Sequence, residues 1–324
     1  MSWLKKLKPD DADSSVITGI GDDAAVVSAR DGFLVLTTDA IVEDVHFRTK
    51  WSSGDDIGWK AMAVNVSDMA AMGVQPAWAL VTAGIPPTAT IPFVKSLHKG
   101  LSRCAQFYGC RLVGGDTVKS KKLFINVAMG GTTERRPVLR SGAREGDFIF
   151  VTGTLGNAAC ALELLKRKNK KFSALLPFHK KPVPRLKEGL SLMAAGCVSS
   201  MMDISDGLSK DLARLIKESG VGAKIFKHQI PFSTQMLKAA SALKRNPYDF
   251  ALHGGEDFEL LFTVSGEKLS VFFETCHKLL SSEIPPSLVG EIASDKQCRI
   301  VLIDDEKHSV MQSGGYDHLL SLKT

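Results

Sequence analysis

The residues of this chain that could do chemistry are aspartates set beside glycines, hydroxyls and apolar segments. They fall at positions 19–23, 37–39, 67–68, 114–117 and 203–207. Each segment alone has an ordinary explanation, since Gly-Asp-Asp is often a turn and an Asp after a strand often caps a helix. Together they supply the carboxylate and hydroxyl oxygens that Mg²⁺ binds along with substrate phosphates. The pattern therefore predicts metal-bridged polyphosphate binding.

Asp68 is the most informative of these acids. Its neighbours on the predicted helix are Ala63, Val64, Met69 and Met72, which form a face that should exclude a charge. A buried carboxylate needs a partner, and a cation is the natural one. We therefore predict that Asp68 binds a metal ion.

Other signatures are weaker. The chain has no Gly-x-x-x-x-Gly-Lys-Ser/Thr loop and no Gly-x-Ser-x-Gly nucleophile motif. Residues 151–156 form a strand, glycine turn and helix start, which is consistent either with phosphate binding at a helix N-terminus or with an ordinary turn. His46 lies seven residues past Asp39. A lone histidine is more often structural, but this proximity favours a place for His46 at the site.

The elements that must position these residues alternate between strand and helix, which predicts an α/β (α+β) class. The pattern predicts strands at 33–37, 76–83, 111–113, 148–151, 200–202 and 258–263, and helices at 55–72, 90–109, 157–166, 185–195, 209–218 and 234–243. Thr37–Asp39 is thus expected at the end of a strand, and Asp116 just after one. Turn formers and charges concentrate near residues 134–142, so we divide the chain into domains 1–136 and 137–324.

Composition narrows the class of protein. Hydrophobic residues make up 44% and charged residues 23%, as in soluble globular proteins. The net charge of +6 is mild, so the lysine clusters predict solvated surface and no nucleic-acid partner. The six cysteines include no Cys-x-x-Cys pair, which argues against structural zinc and for a reducing compartment. No apolar run approaches a membrane span, and residues 1–6 do not resemble a secretory signal, so we expect a cytoplasmic protein.

Several long motifs resemble the thiamine-monophosphate kinase family, which belongs to the wider aminoimidazole ribonucleotide synthetase-like superfamily. They lie in the family's order at residues 19–24, 37–39 with 46–47, 63–73, 114–117, 203–208 and 255–260. The N-terminus departs from the family pattern, because residues 2–18 lack the usual Glu-Phe-x-x-Ile-like segment. The departure affects the first element and none of the acidic motifs.

The resemblance implies a fold, a reaction and an assembly. The fold is a two-domain one, in which the N-terminal sheet forms a barrel shared with a second subunit and the C-terminal sheet is covered by helices. The reaction is the phosphorylation of thiamine monophosphate by ATP, with Mg²⁺, to give thiamine diphosphate. The expected assembly is a homodimer.

The resemblance also implies roles for individual residues. The magnesium ligands would be Asp23, Thr37, Thr38, Asp39, Asp68, Asp116, Asp203 and Asp206. The residues that contact ATP would be Gly115, Asp116, Arg140 and Ser205. The residues that contact thiamine phosphate would be His46, Glu256 and Tyr316. The residues acting directly in catalysis would be Asp39, Asp116 and Arg140.

Two alternatives remain beside this interpretation. The first is another ATP-using enzyme of the superfamily. A selenophosphate synthetase needs an early cysteine, whereas the first here is Cys104, and the hydrogenase-maturation relative needs a C-terminal cysteine where this sequence ends in Thr324. A purine-synthesis relative stays open. The second alternative is a non-catalytic nucleotide-binding protein, which the intact carboxylates disfavour.

Overall fold

The computed structural model describes residues 15–279, 285–311 and Gly314. The chain forms two compact units. The first comprises the described residues up to Leu139 together with Lys180–Gly196, and the second comprises Arg140–His179 and the described residues from Cys197 onward. The predicted limits 1–136 and 137–324 stay a prediction of the domain organisation. No helix in the described ranges is long and apolar enough to cross a membrane.

The first unit is a six-stranded sheet covered by helices. The strands, in chain order, are β1 (Val16–Thr18), β2 (Ala25–Ala29), β3 (Gly32–Val42), β4 (Trp78–Ile85), β5 (Arg111–Lys119) and β6 (Phe124–Thr133). They lie in the order β1-β2-β3-β6-β4-β5, and only β4 and β5 are parallel. The helices are α1 (Gly54–Ala71), α2 (Ile91–Phe107) and α5 (Leu186–Ala195). Helix α1 packs on β3 and β6 and also contacts α2 and α5.

Local sequence explains why α1 begins and packs where it does. Ser53 caps its N-terminus in a capping box with Asp56. Gly58 allows α2 to approach closely, because a Cβ there would lie 2.1 Å from the carbonyl oxygen of Leu97. The helix therefore sits close to α2 while its other face covers the sheet. The prediction of a helix at 55–72 is confirmed within a residue at each end.

Two strand predictions were wrong in length, and the error matters for the site. Strand β3 extends to Val42, so Thr37 and Asp39 lie inside it, where they pair with Met129 and Val127 of β6. Strand β5 likewise runs on to Lys119 and includes Asp116. The antiparallel ladder with β6 keeps Asp39 in β3, and the parallel ladder with β4 keeps Gly114, Gly115 and Asp116 in β5. Tertiary pairing thus overrides the weak strand propensity of aspartate and glycine.

The second unit is a seven-stranded sheet with helices. Its strands are β7 (Phe148–Val151), β8 (Val198–Asp203), β9 (Gly222–Phe226), β10 (Leu260–Val264), β11 (Ser287–Ala293), β12 (Ile300–Asp304) and β13 (Lys307–Met311). Its order is β13-β12-β9-β11-β7-β10-β8. The remaining helices are α3 (Asn157–Lys166), α4 (Leu176–Lys180), α6 (Leu208–Ser219), α7 (Thr234–Leu243), α8 (Pro247–His253) and α9 (Leu269–Leu279).

The core of the second unit explains how its loops are held. One buried cluster joins Ile149, Met202 and Leu261 of the sheet to Leu212 and Leu215 of α6. This packing fixes the point where β8 ends and α6 begins. The prediction that Asp203–Gly207 connects a strand to a helix is confirmed.

Candidate active site

The carboxylates of Asp23 and Asp68 come together in the first unit, beside β3. Oxygens of the two side chains lie within 4.8 Å of each other. The hydroxyl of Thr37 donates a 2.5 Å hydrogen bond to Oδ2 of Asp68 and lies 3.4 Å from the carbonyl oxygen of Asp23. Two carboxylates at this separation repel each other unless a cation lies between them. The donor set of carboxylates and a hydroxyl fits a hard ion such as Mg²⁺.

Strand alternation separates Thr37 from Thr38. Successive side chains of a strand point to opposite faces, so Thr38 faces away from Asp68. Its hydroxyl instead lies 3.2 Å from Oδ1 of Asn126 on β6. Asp39 returns to the face of Thr37, and its backbone N–H donates to Oδ1 of the buried Asn65 at 2.9 Å. The structure thus brings Thr37 and Asp39 to the covered face and places Thr38 on the other.

Asp116 lies far from Asp39 within the sheet. The register aligns Asp39 with Val127, Val127 with Val81, and Val81 with Gly115. Three strand spacings separate β3 from β5, which is about 14 Å along the sheet. The structure therefore does not bring Asp116 to the other acidic residues within this sheet.

Gly115 is required by the backbone at this point of β5. Its φ is +152°, and a Cβ there would lie 1.8 Å from the carbonyl oxygen of Val81. No side chain fits, so β5 can come close to β4 only with glycine here. The next residue, Asp116, accepts a 2.8 Å hydrogen bond from the N–H of Thr117.

His46 is held in a tight loop after β3. Its Nδ1 accepts a 3.0 Å hydrogen bond from the backbone N–H of Val42, and its own N–H donates to the Val42 carbonyl oxygen at 3.0 Å. Because Nδ1 is an acceptor, the neutral ring carries its proton on Nε2. An Nε2–H donor suits an anionic group such as a phosphate.

In the second unit, Asp211 organises the loop between β8 and α6. Its Oδ2 accepts hydrogen bonds from the backbone N–H groups of Ser205, Asp206 and Gly207 at 3.0, 2.8 and 3.1 Å. Burial raises the pKa of the Asp211 carboxyl to about 7, although the neighbouring Arg214 lowers it. One buried carboxylate thus fixes the backbone of the whole loop.

Asp206 and Asp203 differ in their surroundings. Oδ2 of Asp206 lies 2.6 Å from Nη2 of Arg214 and 3.0 Å from Nζ of Lys210. A metal ion at Asp206 would compete with these two cations. Asp203 ends β8 and is buried. Arg140 lies close enough to Asp211 for its charge to lower the pKa of that carboxyl.

Glu256 lies in a second loop that runs beside the first. Its N–H donates to the carbonyl oxygen of Ser205 at 2.8 Å, and its φ is +69°. Left-handed backbone is uncommon outside glycine, so the surrounding contacts must hold it there. The buried His179 supplies one of them, with Nδ1 2.8 Å from Oε2 of Glu256.

Asp257 binds the helix N-terminus that follows residues 151–156. Its carboxylate accepts hydrogen bonds from the N–H groups of Gly156 and Ala158 at 2.7 and 3.2 Å, which is the N-terminus of α3. Burial raises the pKa of the Asp257 carboxyl to about 7. A protein carboxylate therefore occupies the place where a phosphate could bind, so this segment is a structural turn.

A second acidic group lies elsewhere in this unit. His228 Nε2 is 3.0 Å from Asp304 and 3.4 Å from Asp305. Nζ of Lys227 lies 2.5 Å from the other oxygen of Asp304, and hydrogen bonding to Asp304 raises the pKa of Lys227. This ion-pair cluster joins the 3₁₀ turn after β9 to the turn between β12 and β13.

Several residues at these sites were missed by the sequence analysis. They are Lys60, Asn65, His179, Asp211 and Arg214. Lys60 could have been identified from its spacing to Asp68, since residues eight apart lie on the same helix face. No local signal distinguishes His179. The predicted substrate contact Tyr316 lies outside the described residues.

Comparison with known proteins covers both units. The family model described as AIR synthase related protein, N-terminal domain, matches residues 21–133, and the corresponding C-terminal domain matches residues 144–302. The thiamine-monophosphate kinase of Bacillus subtilis is 36% identical over 314 residues, which covers 94% of each chain. That of Aquifex aeolicus is 39% identical over 259 residues, which covers 79% of this chain and 83% of the relative.

Solved structures agree with these relatives. The structure of AaThiL complexed with AMPPCP and TMP has a TM-score of 0.79 and 34% identity, and covers 90% of this chain and 91% of that chain. The Stenotrophomonas maltophilia thiamine-monophosphate kinase has a TM-score of 0.77 and 30% identity, with 95% of each chain covered. The hydrogenase maturation protein HypE of E. coli has a TM-score of 0.72 at 20% identity, so it shares the fold alone.

Proposed function

The chain belongs to the thiamine-monophosphate kinase family of AIR synthase related proteins, and we propose which of its residues perform the family's reaction. The reaction is the ATP-dependent phosphorylation of thiamine monophosphate, which yields thiamine diphosphate and ADP. The observation that carries the proposal is the convergence of Asp23, Asp68 and the Thr37 hydroxyl on one place.

The acceptor determines what the protein must supply. A phosphate monoester is mostly dianionic near neutral pH, so it can attack the γ-phosphorus of ATP without a general base. The obstacle is repulsion between two anionic phosphates brought in line. Mg²⁺ held by Asp23, Asp68 and the neighbouring Thr37 and Asp39 would neutralise part of that charge. The protein itself must hold the acceptor phosphate in line with the γ-phosphate of ATP.

The roles of the second unit's residues stay proposals. Ser205 and Arg140 are assigned to ATP, and Asp203 and Asp206 to metal. Their support is the rigid loop that Asp211 builds from the backbone of Ser205, Asp206 and Gly207. A preorganised loop of this kind suits phosphate binding, because the loop loses little conformational entropy when the phosphate binds.

We assign His46 and Glu256 to thiamine monophosphate. The proton on Nε2 of His46 suits the phosphate end. The carboxylate of Glu256 suits the cationic thiazolium ring. The assignment of Tyr316 to the same substrate stays a prediction from the family resemblance, as does the cytoplasmic location.

We propose a homodimer formed through the first sheet. Every residue of β5 is exposed, and β5 is the last strand of the sheet. The adjoining face carries exposed Leu36, Trp78 and Leu80, and both Leu36 and Trp78 pair with Gly130. An exposed apolar face at an open strand edge favours association with another chain. A second subunit would also explain how Asp116 takes part in a site although it lies far from Asp39.

The test is turnover by the purified full chain. With ATP, Mg²⁺ and thiamine monophosphate, ADP and thiamine diphosphate should form in equal amounts. Thiamine and other phosphate monoesters should give little ADP. ATP binding without turnover on any phosphate acceptor would identify a nucleotide-binding relative instead. Preferential turnover of a purine-synthesis intermediate would identify another enzyme of the superfamily.

A further inference from the structure

Helix α1 carries a buried lysine and a buried asparagine that no part of the reaction has yet required. Lys60 is 1% exposed and Asn65 is fully buried, in a helix whose other buried residues are mostly apolar. Lysine is almost never fully buried, because its ammonium group loses hydration that few protein partners replace. A lysine at this place therefore needs a reason beyond helix formation.

The contact of Lys60 supplies that reason. Its Nζ donates a 2.8 Å hydrogen bond to the backbone carbonyl oxygen of His46. The same histidine is bound to Val42 through both its N–H and its ring Nδ1. Lys60 thus holds the carbonyl of His46 while Val42 holds its amide and ring. These contacts together fix where the Nε2 proton points.

Asn65 makes a similar contact with the backbone of β3, which precedes the His46 loop in the chain. Its Oδ1 accepts the backbone N–H of Asp39 at 2.9 Å, and its Nδ2 donates to the carbonyl oxygen of Ala61 at 3.1 Å. The side-chain amide therefore links the backbone of α1 to the backbone of β3. It fixes the backbone of the residue that follows Thr38.

We propose that Lys60 and Asn65 are positioning residues of the kinase reaction, each acting on a different substrate. Lys60 fixes the loop that presents His46 to thiamine monophosphate, and Asn65 fixes the strand that presents Asp39 to the magnesium nucleotide. Asp68 on the same helix contacts Thr37, so α1 acts as one rigid template for three consecutive parts of the site. This inference rests on the proposed roles of His46 and Asp39.

The division between substrates makes the proposal testable. Lys60→Met keeps the length and apolar stem of the side chain and removes the donor. It should raise KM for thiamine monophosphate about 10-fold and leave KM for ATP within about 2-fold, as expected for loss of one well-placed contact. Asn65→Leu should do the reverse, raising KM for magnesium ATP with little change for thiamine monophosphate.

A double-mutant cycle tests whether Lys60 acts through His46. If it does, Lys60→Met should cost no further affinity for thiamine monophosphate once His46→Ala is present. Calorimetric titration of thiamine monophosphate in the absence of ATP gives this readout without turnover. Additive losses in the two variants would overturn the proposed route.

Two further measurements separate positioning from stability. Lys99→Met, at an exposed lysine of α2, is the matched control and should change neither KM. Lys60→Gln and Asn65→Ser are milder variants for use if the first pair fail to fold. A lower melting temperature with both KM values unchanged would overturn the proposal, since it would show a structural role alone. Failure of the proposed function would appear separately, as absence of turnover by the wild-type protein.

Discussion

The hydroxyl of Thr37 on β3 donates a 2.5 Å hydrogen bond to Oδ2 of Asp68 on α1. The bond joins an inner strand of the first sheet to the helix that covers it. It also orients the Asp68 carboxylate toward Asp23, whose carboxylate oxygen lies within 4.8 Å. A strand hydroxyl thus sets the direction of a helix carboxylate at the candidate metal site.

Asp68→Asn should preserve the fold and sharply reduce turnover. The amide has the same shape but no charge, so it binds Mg²⁺ weakly and no longer offsets the charge of the ion. We expect kcat to fall at least ~100-fold and the Mg²⁺ concentration for half-maximal rate to rise. Steady-state rates across a magnesium titration measure both.

Asp31→Asn, at an exposed position between β2 and β3, is the control for that variant and should behave as wild type. Circular dichroism should show the same melting temperature for Asp68→Asn within a few degrees. Near-normal turnover with unchanged magnesium dependence would remove Asp68 from the metal site.

The sequence could predict Asp68 because a carboxylate stands out among the apolar residues Ala63, Val64, Met69 and Met72. It could not predict that Asp23 lies beside it, since that proximity depends on how β2 and β3 pair. Nor could it predict that Thr38 and Asp39 alternate in direction after Thr37, because the predicted strand ends at Thr37. Once the strand was known to reach Val42, alternation alone gave the two faces.

In the second unit, too, the sequence predicted a helix but not the residue that binds its end. The helix at 157–166 was predicted with the bounds that α3 has. Its N-terminus was read as a possible phosphate site, because the residue that occupies it, Asp257, comes about 100 positions later in the chain. Sequence patterns predict local geometry, whereas the group that binds a helix end depends on the tertiary fold.

Leu80→Glu should prevent association of two chains. Leu80 is 51% exposed on the face that we assign to the dimer. A buried charge without a partner at such an interface costs several kcal/mol. Light scattering after gel filtration at micromolar concentration should give a dimer for wild type and a monomer for the variant.

Ile91→Glu is the matched control for the interface variant, since Ile91 is 69% exposed at the start of α2. It should remain a dimer, because α2 packs on α1, on the side of the sheet opposite Leu36, Trp78 and Leu80. A wild-type protein that is monomeric at these concentrations would contradict the assembly.

Asp257→Asn should alter how stability depends on pH. Burial raises the pKa of Asp257 from 3.8 to about 7, so the folded protein holds a proton that the unfolded chain has lost. The resulting stability is complete below pH ~4 and is lost as the pH rises through ~7. The asparagine variant lacks this titration.

The unfolding free energy of wild type relative to Asp257→Asn should therefore fall by up to ~1.4 kcal/mol per pH unit between pH ~4 and ~7 and level off above pH ~7. Urea unfolding at pH 5, 6, 7 and 8 measures this difference. Asp249→Asn, an exposed position on α8, should give a curve parallel to wild type. A parallel curve for Asp257→Asn would contradict the assignment.

Glu256→Gln should weaken binding of thiamine monophosphate and spare ATP. Oε2 of Glu256 lies 2.8 Å from Nδ1 of the buried His179, and the backbone of Glu256 has a φ of +69°. A side chain held by such contacts loses little conformational freedom when it meets a ligand, which favours binding. The amide keeps the shape but no longer attracts the positive thiazolium ring.

We expect KM for thiamine monophosphate to rise about 10-fold in Glu256→Gln, with KM for ATP within about 2-fold. His179→Gln should give a smaller rise in the same KM, because it loosens the carboxylate without removing its charge. Glu267→Gln makes the same change at an exposed position of the second unit and should alter neither constant. Equal rises in both KM values for Glu256→Gln would mean that this loop serves the nucleotide instead of the thiamine ring.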